Sequence, residues 1–248
     1  MKVVVIGGTG LIGSKVITLL NAHGHDATAA ALQTGMNTLT NEGVEDAVAG
    51  AEALVDVSNS PSFAAESRLP VDVTKKCMTS SSAKAAGVAH YVALSVVGTG
   101  RLPDSGYLRA KAAQEQLIRG SGLPYSIVRA TQFFEFLPRI ADGATVGGQV
   151  HLPPVQFQPM AAADVAAAVC TVCVGPPLDG VREVGGPESH RMDTLVGVAL
   201  ERAGDDREVV ADAHATYFGT ELADDSLVPG PGGVLADTTY AAWLEAGS

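Results

Sequence analysis

A tyrosine and a lysine stand four positions apart, Tyr107 and Lys111, in the stretch GYLRAKAAQEQLI at 106–118. On a helix that spacing puts both side chains on one face. A phenol ionises at a pKa of about 10 and is a poor acid–base group near neutrality, but a neighbouring ammonium favours the phenolate and lowers that value. The pair therefore suits carbonyl reduction, which needs a hydride and a proton for the developing alkoxide. A hydroxyl on an adjacent strand would hold the carbonyl oxygen. Ser95, in YVALSVVG and twelve residues ahead of Tyr107, occupies such a place. Taken alone, the spacing also fits a tyrosine at a helix start followed by a solvated lysine.

A hydride donor is signalled at the other end of the chain. VVVIGGTGLIG places Gly7, Gly8, Gly10 and Gly13 between an apolar run and a helix-patterned segment that begins with Leu11 and Ile12. Glycines there allow a tight turn and let backbone N–H groups and the helix N-terminus approach a pyrophosphate. The turn is read as a dinucleotide site, against the plainer alternative of a packing turn. The choice of dinucleotide depends on the end of the next strand, where an acid would bind a free ribose 2′-hydroxyl. AAALQ at 29–33 carries no acid, which favours NADP(H) over NAD(H), although no arginine stands there either. Gln33, Thr34 and Asn37 would donate to a 2′-phosphate, with Lys15 adding charge. Asn37 and Thr38 would lie near the adenine. Ser58 and Asn59, in VSNS, would face the ribose or simply form a polar loop.

These residues need a scaffold that brings strand ends together. Strands are expected at 2–6, 25–32, within 51–60, at 90–98 and at 124–131, with helices at 11–24, 44–50, 71–88 and 106–120 between them. Strands that read as continuous apolar runs and alternate with helices indicate a parallel sheet buried on both faces, a doubly wound α/β fold. After Thr131 the texture changes to QFFEFLPRIADGATVGGQVHLPPVQFQP, which is aromatic and broken by Pro and Gly. A helix from about 162, a strand near 182–186 and a helix at 192–204 follow. Residues about 132–160 and 188–248 are expected to form a small C-terminal substrate lobe on a single domain spanning 1–248.

The segments VVVIGGTGLIG, YVALSVVG, GYLRAK, YSIVRATQFFEF and FQPMAAADVAAAV together resemble the short-chain dehydrogenase/reductase (SDR) superfamily, in its atypical NmrA-like branch. The resemblance covers nearly the whole chain and is strongest over 1–137. It implies a Rossmann-like fold, NAD(P)H use, and a Ser/Tyr/Lys set at Ser95, Tyr107 and Lys111. Thr131 and Lys111 would join the cofactor contacts. Gln132, Phe133 and Phe134 would border nicotinamide and substrate. The second strand lacks the branch's frequent basic residue. Retention of Tyr107, which many NmrA-like sensors have lost, favours an enzyme over an NAD(P)-sensing regulator that binds a protein partner.

Composition narrows the ligand. With 27 acidic and 16 basic residues the chain carries a net charge of −11, which argues against nucleic acid and anionic membrane surfaces. The short apolar run at the N-terminus is not a signal-peptide core, and the expectation is a cytoplasmic protein. Cys170 and Cys173 form a C-x-x-C in an Ala/Val-rich helical run and read as buried helix residues. The six histidines show no metal-ligand spacing, so no metal is expected. Three of the six phenylalanines fall at Phe133, Phe134 and Phe136, and Phe157 follows. They read either as lobe packing or as an apolar cleft for an aromatic ketone or quinone. The first expectation is therefore an NAD(P)H-dependent reductase of such a substrate. The second is the reductase component of a two-component monooxygenase in aromatic polyketide tailoring, with an oxygenase partner. Nucleotide-sugar epimerases are typically longer.

Overall fold

The computed structural model describes residues 1–31, 34–36, 42–59 and 81–247. Strand β1 (Lys2–Ile6) is a β-branched run whose Val3, Val4, Val5 and Ile6 are buried on both faces, so helices must cover both sides. Helix α1 (Leu11–Ala22), β2 (Asp26–Ala30), α2 (Val44–Val48), β3 (Ala53–Asp56), β4 (His90–Val96), α3 (Gly106–Gly120) and β5 (Tyr125–Ala130) follow in strand–helix alternation. The second half contains α4 (Leu137–Gly143), β6 (Thr145–Val146), β7 (Gln149–Leu152), β8 (Gln156–Phe157), α5 (Ala162–Val174) and β9 (Gly180–Gly185). It ends with β10 (His190–Arg191), α6 (Met192–Ala203), β11 (Val209–Ala211), β12 (Val234–Leu235) and α7 (Tyr240–Glu245). The helix expected over 71–88 is described only at 81–85, where the backbone is helical.

Seven strands make one sheet in the order β12-β9-β5-β4-β3-β1-β2, every pair parallel. The expected doubly wound parallel sheet is present. On one face α1 and α5 bury Val16, Leu20, Val165 and Val169 against Val3, Val5 and Val92. On the other, Val44, Val48 and Ile118 pack on Val4, Leu54, Tyr91 and Ile127. A third cluster, including Phe134, Leu152, Phe157, Met192 and Leu195, lies in the segments after β5 and after β9. One strand of the C-terminal segment, β12, joins the main sheet beside β9, where Ala236 N–H donates to the Gly185 carbonyl at 2.8 Å. Without it β9 would be an unpaired edge.

Parallel pairing aligns the strand ends. Ile6 is level with both Ala30 and Asp56, Asp56 with Ala93, and Val96 with Ala130. The segments leaving β1, β3, β4 and β5 therefore emerge along one edge of the sheet, where ligands of open α/β folds bind.

Candidate active site

A cavity of about 880 Å³ opens at that edge. Gly7, Gly10, Leu11, Ile12 and Gly13 line one part of it. Gly7 turns the chain at φ +77°, and an added Cβ there would press on the Ser58 backbone. A Cβ at Gly13 would collide with the Gly7 carbonyl oxygen and the Gly8 Cα. Both positions need glycine, and the turn opens a helix whose first N–H groups have no side-chain cap.

The loop after β3 is fixed from beneath. Asp56 is fully buried, accepts the Ser58 N–H at 3.0 Å and the Ser58 hydroxyl at 2.7 Å, and receives the Tyr91 hydroxyl at 3.1 Å. Ser58 and Asn59 thereby line the cavity. Gln33 and Asn37 lie outside the described residues, as does Thr38. Lys15 and Thr34 are not among the lining residues.

Helix α3 is started by Ser105, whose hydroxyl accepts the Leu108 N–H at 3.4 Å. It brings Tyr107 and Lys111 to the cavity together. The lysine is 8% exposed, and its Nζ lies 3.5 Å from the Leu94 carbonyl, to which it donates. The tyrosine is hydrogen-bonded to the Asn59 side chain, and burial pushes its pKa up to about 12. Desolvation of the phenolate moves this pKa in the direction opposite to the lowering expected from Lys111, so the phenol stays protonated near neutral pH.

Ser95 borders the cavity, but its proton is committed. Its Oγ donates to Glu115 Oε1 at 2.7 Å, which leaves no proton for a substrate oxygen while that bond holds. Glu115 in turn takes a two-point grip from Arg129 at 2.8 and 2.7 Å. Sequence alone assigned no role to the helix beyond Lys111. The signal was present in polar residues at buried helical positions, Gln114 and Glu115, one turn after Lys111.

At the substrate end, Gln132 and Phe133 line the cavity while Phe134 and Phe157 do not. Both of the latter are buried in the lobe, Phe134 against Tyr240 and Trp243. The short 3₁₀ turn at Phe134–Phe136 sends Phe134 inward and leaves Phe133 and Phe136 stacked at 5.4 Å on the cavity wall. Another part of the lining comes from a loop within 188–248, the segment expected to serve the substrate lobe, although none of its residues was singled out from the sequence. Tyr217, Phe218 and Gly219 form a tight turn closed by Tyr217 and Thr220, with Phe218 at φ +48° and Gly219 at φ +78°. A bulky residue in the left-handed region stores strain, and such strain gathers at functional sites. Here it places the Phe218 ring 5.2 Å from Tyr107 and 4.4 Å from Tyr217. Burial drives the Tyr217 pKa above the ordinary phenol range. The aromatic pair before a glycine in HATYFGT was the available signal.

Two buried polar atoms on the cavity wall, Thr131 Oγ1 and Gln132 Oε1, have no hydrogen-bond partner among the described residues. Such orphans cost about 1–3 kcal/mol each until something pairs with them. With the glycine cradle, they fit a polar dinucleotide lying from the turn toward Gln132.

Comparison with known proteins agrees. A family model described as NAD(P)H-binding matches residues 7–175. The chain belongs to this NAD(P)H-binding family. It is 25% identical over 233 residues to an NAD(P)H azoreductase of Xenophilus azovorans, covering 81% of this chain and 78% of that protein. The dTDP-glucose 4,6-dehydratase DesIV of Streptomyces venezuelae, solved with NAD and TYD bound, matches with a TM-score of 0.72 at 17% identity over 99% of this chain and 95% of its own. A short-chain dehydrogenase/reductase superfamily protein of Agrobacterium tumefaciens with bound NAD matches with a TM-score of 0.67 at 18% identity, covering 92% and 95%. The two solved structures share the fold with this chain. The family member is an NAD(P)H-dependent oxidoreductase. Among the described residues no helix is long and apolar enough to cross a membrane, and no cluster of His, Cys, Asp or Glu could hold a metal ion.

Proposed function

We propose that the protein reduces a planar, apolar aromatic acceptor at the expense of NAD(P)H, with Tyr107 as proton donor. The acceptor is a ketone or quinone or, given the likeness to an azoreductase, an azo compound with its own flat π system. The observation that carries this reading is one cavity lined at one end by the glycine turn and at the other by Phe133, Phe136, Tyr107, Tyr217 and Phe218.

When bound, the nicotinamide supplies a hydride. Tyr107, kept protonated by burial, gives its proton to the oxygen or nitrogen that becomes negative, and is reprotonated from solvent. Lys111, one helical turn further on, holds the cofactor ribose. The Phe218 ring, packed on both phenols, keeps water from the reacting face. The cofactor is taken as NADP(H), because no acid follows β2 before Glu42.

The test follows NADPH and NADH consumption against a panel of aromatic ketones, quinones and azo compounds. Tyr107→Phe is expected to slow ketone reduction about 10²–10⁴-fold. Its effect on quinones is smaller, because a hydroquinone anion is already stabilised. Full ketone turnover by this variant would remove Tyr107 from its role, and no consumption with any acceptor would remove the reductase reading.

A further inference from the structure

The cavity differs in charge from the protein around it. The chain has 27 acidic residues against 16 basic ones, yet the residues lining the cavity include no Asp, Glu or His and two cations, Lys111 and Arg139. Lys111 is buried on α3 and already assigned to the cofactor half. Arg139 is exposed on α4, at the substrate end, with its guanidinium carbon 5.7 Å from the centre of the Phe136 ring.

The acids that α4 and the turn before it offer to Arg139 are engaged elsewhere. Glu135, four residues earlier, accepts the Ala162 N–H at 3.1 Å and the Trp243 indole N–H at 3.3 Å. Asp142, three residues later, pairs with Arg207 at 3.0 Å. Arg139 thus has no carboxylate partner among the described residues. Its planar fork extends from an aromatic wall made by Phe136 stacked on Phe133, an arrangement that leaves the donors free for a two-point contact with an anion. In a molecule of net charge −11, an anionic ligand entering this end needs such a local cation to offset long-range repulsion.

Building on the reductase reading, we infer that the substrate is a flat aromatic compound bearing a carboxylate or sulfonate. Its ring lies on the Phe133–Phe136 wall and its anionic group meets Arg139. The inference is tested with a matched pair, naphthoquinone and naphthoquinone sulfonate, on the NADPH-loaded protein. The wild type is expected to prefer the sulfonate in kcat/KM, less so at high salt. In Arg139→Gln that preference falls about tenfold through KM, and Arg139→Lys, which keeps the charge but not the two-point fork, recovers only part of it. Reduction of both quinones with no preference, or a preference unchanged in Arg139→Gln, overturns the inference and leaves the reductase reading standing. Reduction of neither overturns the reductase reading. Calorimetric binding of naphthalene sulfonate to the NADP⁺-loaded protein then decides the inference alone, which stands if Arg139→Gln weakens binding about tenfold and falls if it does not. Tighter binding of UDP-glucose than of the sulfonate, lost in Arg139→Gln, would also overturn it by assigning Arg139 to a nucleotide diphosphate.

Discussion

Replacing Glu115 by glutamine tests whether a buried ion pair holds the catalytic helix to the sheet. The Glu115 side chain is 5% exposed and that of its partner Arg129, on β5, 19%. Two short bonds join them, Ser95 adds a third, and Arg129 keeps a second carboxylate, Glu183, at 3.4 Å. Glu115→Gln removes the charge and sets an amide N–H against a guanidinium N–H. Breaking one side of a buried pair typically costs about 3–5 kcal/mol, and the partial exposure of Arg129 and its retained Glu183 lower the expectation to about 2–3 kcal/mol. In a chain of this length each kcal/mol moves Tm by about 2–4 °C, so a fall of about 4–12 °C is expected. Arg129→Met should cost a similar amount, because it leaves the buried Glu115 with only the Ser95 hydroxyl and Arg119 at 3.7 Å. The double variant strands no charge at the Glu115 position and should lose at least about 1 kcal/mol less than the sum of the single changes. Urea unfolding of the four proteins at constant m-value reads all three quantities. A Glu115→Gln midpoint equal to wild type, or a strictly additive double variant, would refute the reasoning.

Three further outcomes follow from the site. Gly13→Ala pushes a methyl group into the Gly7 carbonyl and should weaken NADPH binding at least about tenfold, read by cofactor fluorescence on protein that circular dichroism shows to be folded; an unchanged Kd would contradict the cradle. Tyr107, with its pKa pushed up to about 12, is protonated at every lower pH, so its contribution to ketone reduction is complete below that value and lost only as pH rises through it. The rate from pH 6 to about 10 should show no falling limb that disappears in Tyr107→Phe. Cys170 and Cys173, raised by burial to about 11 and about 12, hold little thiolate at neutral pH. Peptide mapping should find both unalkylated by iodoacetamide in native protein and alkylated in guanidinium; rapid native labelling would revive a redox role for the C-x-x-C.

The cofactor half of the site was legible because its chemistry constrains the backbone. A strand that must be buried on both faces has to be an apolar run, and a turn that admits a pyrophosphate has to be glycine, so VVVIGGTGLIG carries both instructions in consecutive letters. Tyr107 and Lys111 were legible because a helix converts a spacing of four into a shared face. Ser95 stands at the end of β4, where its proton goes to Glu115. The polar letters Gln114 and Glu115, a turn beyond Lys111 on α3, hint at a buried polar contact but not at Ser95 as its partner. Phe133 and Phe134 were indistinguishable as letters, since a 3₁₀ turn has neither helical nor strand period to say which ring points inward.

The substrate half was harder to read for a related reason: its groups are side chains delivered by turns, from positions far apart in the chain. Phe218 shows how such a delivery is held. Its left-handed backbone is costly for a bulky residue, and the backbone bonds between Tyr217 and Thr220 that close the turn offset this only in part. Ring contacts with Tyr217 and, across the fold, with Tyr107 on α3 add to them. The loop and helix α3 therefore support one another, and the strained turn rests partly on Tyr107. In this arrangement the shape of the substrate end depends on the same phenol that is proposed to supply the proton, so a change at Tyr107 should alter acceptor selectivity as well as rate.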